Sequence, residues 1–141
     1  MKFRIRENRC TGCHLCQLAC SSTKEGAFSL RRARIRILPD ERPKPRMIVC
    51  RQCKTCQCIE NCPYQAFQKD PRTGGVRIDA ETCQACFACI DTCPFGAVRT
   101  DPKTKLPMVC DLCGGEPACT AVCKSAALQT VDPPLVREAG V

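Results

Sequence analysis

All seventeen cysteines in this 141-residue chain fall into four tight groups, a density of thiols that points to metal chemistry before any fold is considered. The first group is Cys10, Cys13, Cys16 and Cys20, and the third is Cys83, Cys86, Cys89 and Cys93; both follow C-x2-C-x2-C-x3-C. The fourth, Cys110, Cys113, Cys119 and Cys123, keeps the outer spacings but widens its middle gap to five residues with Gly114, Gly115 and Pro117. The second, CRQCKTCQCIENCP, holds five cysteines: Cys50, Cys53, Cys56, Cys58 and Cys62. In the other three groups the last two cysteines are separated by three residues, and only Cys58 to Cys62 reproduces that spacing. Cys58 is therefore expected as the third ligand and Cys56 as a non-ligand. Cys56 then reads as a bystander thiol, with a substitute ligand or a redox-active thiol as the alternatives.

Disulfides explain this pattern poorly. The opening MKFRIRENRC has basic residues without the apolar stretch of a secretory signal, and no run approaches a membrane span. A cytoplasmic location without direct membrane insertion is expected, and there thiolates bound to metal persist where disulfides do not. Zinc is the weaker metal assignment, because two C-x2-C pairs that close one tetrahedron are ordinarily set a dozen or more residues apart. Three cysteines at 2-2 spacing wrap three corners of an iron–sulfur cubane, and the fourth, just beyond, commonly ligates the other cluster of a pair. Four groups imply four [4Fe–4S] clusters, each with four thiolates and no open iron for a substrate. There is no C-x3-C-x2-C arrangement, no G-x-G-x-x-G loop and no convincing nucleophile–base pair, so no catalytic residue is assigned. The single histidine, His14, sits between two ligands in CHLC. It is expected as a solvent-facing filler, with a modulator of the nearby potential or a ligand as alternatives.

The formal charge of +8 would ordinarily suggest an acidic partner such as nucleic acid. Sixteen thiolates around four cores of about +2 each contribute about −8, which brings the loaded protein near neutrality. Stacking residues are also few, with one Tyr, five Phe and no Trp, so a nucleic-acid partner is not expected. Arg51, Lys54, Lys105 and Lys124 lie close to ligands in sequence and either stabilise reduced clusters or serve solubility.

The elements that must position these cysteines are short. Residues 2–6, 33–37, 46–49 and 75–79 alternate or are β-branched and predict strands; in RRARIRI, Arg alternating with Ile reads as a half-solvated strand. Helical turns are expected at about 16–23, 59–62, 90–93 and 119–123, beside each fourth cysteine. Pro63 and Pro94 turn the chain directly after two of these. Residues 39–45, 69–75 and 100–107 read as turns or exposed loops, and 131–141 as an extended arm. With 4% aromatic residues there is little bulk for a conventional core.

On these four cysteine motifs the chain resembles the four-cluster, ferredoxin-like electron-transfer subunits. That family includes the iron–sulfur subunits of dimethyl-sulfoxide reductase-type molybdoenzymes and formate dehydrogenases, the iron–sulfur partner of carbon-monoxide dehydrogenase and the ferredoxin-like subunit of tungsten aldehyde oxidoreductases. The resemblance covers residues 4–130 and implies an α+β, ferredoxin-like fold of two nested 2[4Fe–4S] units within a single domain, 1–141. The outer unit would be about 1–49 plus 104–130 and the inner unit about 50–103. It also implies exchanged fourth ligands. Cys10, Cys13 and Cys16 would join Cys123; Cys110, Cys113 and Cys119 would join Cys20; Cys50, Cys53 and Cys58 would join Cys93; and Cys83, Cys86 and Cys89 would join Cys62.

The function so implied is non-catalytic relay of single electrons between a catalytic redox subunit and a second electron-transfer or flavin subunit. A tungsten or molybdenum aldehyde oxidoreductase is the favoured partner, ahead of carbon-monoxide dehydrogenase and hydrogenase-type enzymes. The alternatives are a freely diffusing polyferredoxin and, less favoured, a zinc-binding interaction module. This chain is shorter than many family members, so docking insertions found in them are expected to be absent or trimmed.

Overall fold

The computed structural model describes residues 1–39 and 44–131. One longer helix, α1 (Leu15–Glu25), and three of about one turn, α2 (Gln57–Glu60), α3 (Ala88–Thr92) and α4 (Ala118–Ala121), carry one cysteine group each. All four start one or two residues earlier than expected, with the third cysteine of each group as the second helical residue. Between them run short strands: β1 (Lys2–Ile5), β2 (Arg36–Leu38), β3 (Arg46–Ile48), β4 (Phe67–Lys69), β5 (Val76–Ile78), β6 (Arg99–Thr100), β7 (Pro107–Met108) and β8 (Leu128–Val131). The result is a small α+β fold of short elements joined by loops.

The strands pair as four separate antiparallel ribbons: β1 with β8, β2 with β3, β4 with β5 and β6 with β7. In register, Ile5 faces Leu128, Ile37 faces Met47, Phe67 faces Ile78 and Arg99 faces Met108. The first ribbon ties the strand before the first cysteine group to the strand after the fourth. The third ribbon links the second group to the third. Helix packing follows the same pairs, with α1 against α4 and α2 against α3.

Three expected strands are present as β1, β3 and β5, and the Arg–Ile strand is shifted. Ala33, Ile35 and Ile37 are buried while Arg32, Arg34 and Arg36 are partly exposed, as the alternation demands, yet ladder bonding covers only 36–38. β4, β6, β7 and β8 were not anticipated, and β6 and β7 take the two ends of the expected loop at 100–107. Of the expected loop at 39–45, residues 40–43 lie outside the described residues, as does the C-terminal arm beyond Val131. No helix of the described residues is long and apolar enough to cross a membrane.

A two-stranded ribbon is marginal by itself in water. Here the ribbons close over a core whose largest fully buried side chains are Ile35, Leu112, Leu128, Val49, Val76 and Val98. Cys10, Cys16, Cys20, Cys50, Cys89, Cys110 and Cys119 belong to that same core. The apolar residues thus form a shell around thiols, in place of the large aromatic core that the composition lacks.

One polar joint crosses the molecule. Arg32 donates through Nε and Nη2 to Asp101 at 3.0 and 2.9 Å and also reaches Glu25, which pairs with Arg34 at 2.6 Å. Hydrogen bonds from the Arg32 guanidinium hold the Asp101 carboxyl well below the usual carboxylate range. This joint ties the segment after α1 to the loop between β6 and β7.

Candidate iron–sulfur centres

The four cysteine groups share one backbone device. Two residues after the first cysteine the chain turns left-handed, at Gly12 (φ 73°), Gln52 (φ 45°), Ala85 (φ 53°) and Leu112 (φ 59°). In three groups that turn aims the residue's own N–H at the first sulfur: Gln52 to Cys50 at 3.4 Å, Ala85 to Cys83 at 3.4 Å and Leu112 to Cys110 at 3.5 Å. A second left-handed residue follows the second cysteine at His14 (φ 62°), Phe87 (φ 61°) and Gly114 (φ 70°). Side chains other than Gly take this conformation only where the surroundings over-determine it, which is a signature of built sites.

The third cysteine is the second residue of its helix in every group: Cys16 in α1, Cys58 in α2, Cys89 in α3 and Cys119 in α4. Cys56 stands one step outside, at the N-cap position that His14, Phe87 and Pro117 hold in the other groups. Its thiol donates to the Cys53 carbonyl oxygen at 2.9 Å, and Lys69 Nζ lies 3.9 Å from its sulfur.

After the fourth cysteine three groups repeat a tight turn. Gln65, Gly96 and Ala126 donate their N–H to the carbonyl oxygens of Cys62, Cys93 and Cys123 at 3.3, 3.2 and 3.3 Å, and all three are left-handed. The chain then enters β4, β6 or β8. The first group departs from this plan, because Cys20 sits inside α1, which runs on to Glu25 and stops at Gly26 (φ 68°). There the N–H to sulfur comes from a distant segment, Arg34 to Cys20 at 3.2 Å.

The thiols face one another across the chain. Cys10, Cys13, Cys16 and Cys123 line one cavity of about 300 Å³, completed by apolar side chains that include Ile37, Met47 and Leu128. Burial pushes the Cys16 thiol up to about 12, and the charges of Cys10, Cys13 and Cys123 add to the rise. Burial likewise pushes Cys119 up to about 12, with Cys20 and Cys113 adding to it, and raises Cys110 well above its ordinary value beside Cys119, Cys20 and Cys50. Cys50 rises to about 11 by burial, with Cys53, Cys56 and Cys93 close by; Cys58 rises to about 12 by burial beside Cys56, Cys50 and Cys93. Cys89 rises to about 11 by burial, beside Cys83 and Cys86. Cys62 follows α2, which packs on α3, and its sulfur accepts the Ala66 N–H at 3.4 Å. Cys123 differs: burial pushes its thiol up, but backbone N–H groups led by Leu128 and the Ser125 hydroxyl outweigh this and lower it.

Mutually repelling, buried thiols are unstable as free thiolates, and a positively charged group among them removes the conflict. Among the described residues no three ligating side chains converge on a single metal ion. The sulfurs around the 300 Å³ cavity instead surround a space, and that lining suits a cubane bound through Cys10, Cys13, Cys16 and Cys123. Positive charge is present beyond the thiols as well. Arg99, with its value lowered to about 10 chiefly by burial, lies near Arg36, Arg34 and Cys20, and the Cys20 charge favours its protonated form.

His14 is not the solvent-facing filler expected. It is partly buried, lines the cavity, and its Nδ1 lies 2.6 Å from Gln17 Oε1, which also accepts from the Ile37 N–H at 3.1 Å. Since that oxygen is an acceptor, His14 donates through Nδ1. Arg51 sits 5.7 Å above the Phe95 ring, while Lys54, Lys105 and Lys124 are exposed. Gln52, whose side chain is buried, was missed by sequence reasoning; its type and its place between two basic residues and cysteines gave no signal.

Comparison with known proteins agrees with the metal chemistry. The family described as "4Fe-4S dicluster domain" matches residues 45–133. The chain is 34% identical to the polyferredoxin-like subunit of the aliphatic sulfonate oxidoreductase of Pyrococcus furiosus, over 86% of this chain and 70% of that one. It is 33% identical to the beta subunit of the NADH-dependent phenylglyoxylate dehydrogenase of Aromatoleum evansii, covering 87% of this chain but 28% of the relative. Among solved structures, a chain of the active-site complex BamBC of benzoyl coenzyme A reductase with benzoyl-CoA superposes with a TM-score of 0.53 at 24% identity. That match covers 90% of this chain and 76% of the other, and shows likeness of fold.

Proposed function

The chain belongs to the 4Fe–4S dicluster domain family, and from that premise we propose that it is a non-catalytic electron-transfer subunit carrying four [4Fe–4S] clusters in two nested ferredoxin units. When bound, each cluster supplies reversible one-electron redox chemistry. The ligand sets are Cys10, Cys13, Cys16 and Cys123; Cys110, Cys113, Cys119 and Cys20; Cys50, Cys53, Cys58 and Cys93; and Cys83, Cys86, Cys89 and Cys62. The observation that carries this reading is the shared backbone device, in which the third cysteine is always the second helical residue while α1 meets α4 and α2 meets α3. It supports Cys58 over Cys56.

Cys13 and Cys86 are exposed and belong to the first and third groups, whereas Cys50 and Cys110 are buried and close enough for the charge of one to act on the other. These two observations support an order in which two sets with a solvent-facing thiol, the first and third, flank the second and fourth. Electrons enter at one outer set and leave at the other, with the protein tuning each site through burial, charge and hydrogen bonds to sulfur.

The partner is a catalytic redox subunit, with a second electron-transfer or flavin subunit at the other end. A tungsten or molybdenum aldehyde oxidoreductase is our favoured catalytic partner, on the strength of the motif resemblance and the short chain. The relatives are named as subunits of an aliphatic sulfonate oxidoreductase and a phenylglyoxylate dehydrogenase, so catalytic subunits of those kinds are further candidates. The test is anaerobic purification from the native host. About sixteen iron and sixteen sulfide per chain, together with co-purification of a larger catalytic subunit, is expected; one or two zinc ions and no sulfide would overturn the proposal. A fully loaded chain that never co-purifies with a partner would make it a diffusing polyferredoxin.

A further inference from the structure

Among the described residues Gln52 is 2% exposed, and neither its Nε2 nor its Oε1 has a hydrogen-bond partner. A buried amide left unsatisfied forfeits its hydration with no return, so such a group in a native fold calls for a partner. The equivalent position, two residues after the first cysteine, is Gly12, Ala85 or Leu112 in the other groups. Leu112 is 0% exposed, so this position accepts an apolar side chain when it is buried. A glutamine there needs a reason.

The backbone supplies its location. Gln52 is left-handed, and its own N–H points at Cys50 Sγ at 3.4 Å, which puts the residue within the sulfur shell of its loop. Thiolate and inorganic sulfide are acceptors, so only the Nε2 end of the amide can answer them; that partner fixes which way the amide points. Oε1, turned away, is left for a buried water.

We propose that Gln52 donates an Nε2–H hydrogen bond to a sulfur of the cluster held by its own loop, and thereby raises that cluster's reduction potential. The inference rests on the ligand set Cys50, Cys53, Cys58 and Cys93 given above. The physical cause is that a donor aimed at sulfur withdraws electron density and favours the more negative, reduced state. Gln52 is thus a positioning and tuning residue at one of the two inner sites, and no other group places an amide at this point of its loop.

The test is a potentiometric titration, followed by electron paramagnetic resonance, of the holoprotein and its Gln52→Met variant, with iron and sulfide counted in both. Full cluster content with one potential lowered, equivalent to at least a tenfold weaker hold on the electron, or about 59 mV, is expected. Unchanged potentials in a fully loaded variant would overturn the proposal. A wild-type protein short of four clusters would overturn the ligand sets themselves, and this proposal with them. If Gln52→Met fails to load, the protein with Gln52 in place, labelled with amide-15N glutamine, decides by pulsed resonance. A nitrogen coupling to a reduced cluster supports the bond, and its absence overturns it. Gln17 does not confuse that signal, because its amide is already committed to Leu30, Ile37 and His14; Gln57, Gln65, Gln68 and Gln84 are exposed, and the half-buried Gln129 of β8 is removed from the labelled protein by Gln129→Glu.

Discussion

The first and third cysteine loops and the second and fourth are built alike and sit in different surroundings. In the first and third, the second cysteine (Cys13, Cys86) is exposed and the left-handed residue before it is Gly12 or Ala85. In the second and fourth, the corresponding cysteines (Cys53, Cys113) are half-buried, and Gln52 and Leu112 are sealed at 2% and 0% exposure. The cysteine spacing governs how a loop wraps its metal. What surrounds the loop governs which sulfurs meet solvent, and with that the route of the electron and the potential at each site.

The comparison breaks most completely if the thiols are not what holds the loops together. Chelating the iron anaerobically should abolish the cooperative fold, because the ribbons and the few fully buried aliphatic residues are marginal without it. Circular dichroism and thermal melts before and after iron removal check this, and a sharp melt surviving full removal would contradict it. A smaller effect, confined to one inner loop, comes from Cys58→Ala, which should lose or convert one cluster of four, while Cys56→Ala should leave the iron and sulfide content unchanged. Equal losses in both variants would undo the register of the second loop.

Weaker still is the polar joint between the two halves of the chain. Asp101 is held below the ordinary carboxylate range by Arg32, so its contribution to stability is present above the unfolded value, about 3.9, and is lost as pH falls through the lower folded value. Asp101→Asn should therefore melt below wild type by a few degrees at neutral pH, and the gap should narrow in strong acid; a gap independent of pH would show that the charge is idle. The smallest change is Arg51→Ala, which removes an exposed contact with Phe95 near one inner loop. It should cost about 0.5–1 kcal/mol at most, read by denaturant titration, without altering iron content.

The repetition of one loop four times was legible in sequence because cysteine spacing is a local property: the cysteine that the x3 step picks out in each group, Cys16, Cys58, Cys89 or Cys119, is the second residue of a helix. The strands were only partly legible. β4, β6 and β7 have three, two and two residues, too few for a period to register, and β4 and β6 are each entered through the turn after a fourth cysteine. A signal was present all the same. Ala66-Phe67-Gln68-Lys69, Ala97-Val98-Arg99-Thr100 and Ala127-Leu128-Gln129-Thr130 repeat one pattern, with Ala and the next residue buried in each. The Arg32–Asp101 joint and the sealing of Gln52 were not legible, since both depend on segments far apart in the chain.

The most direct test of the account separates electron transfer from substrate chemistry in the complex carrying Cys123→Ser. Cys123 would complete the outer site with Cys10, Cys13 and Cys16, and at its sulfur hydrogen bonds outweigh burial and favour the thiolate. Partner turnover is measured once with a small artificial dye and once with the physiological acceptor. The dye-linked rate should survive while the rate with the physiological acceptor falls, since this chain supplies transport of electrons and the partner supplies the reaction. An intact complex that loses both rates equally would contradict the account.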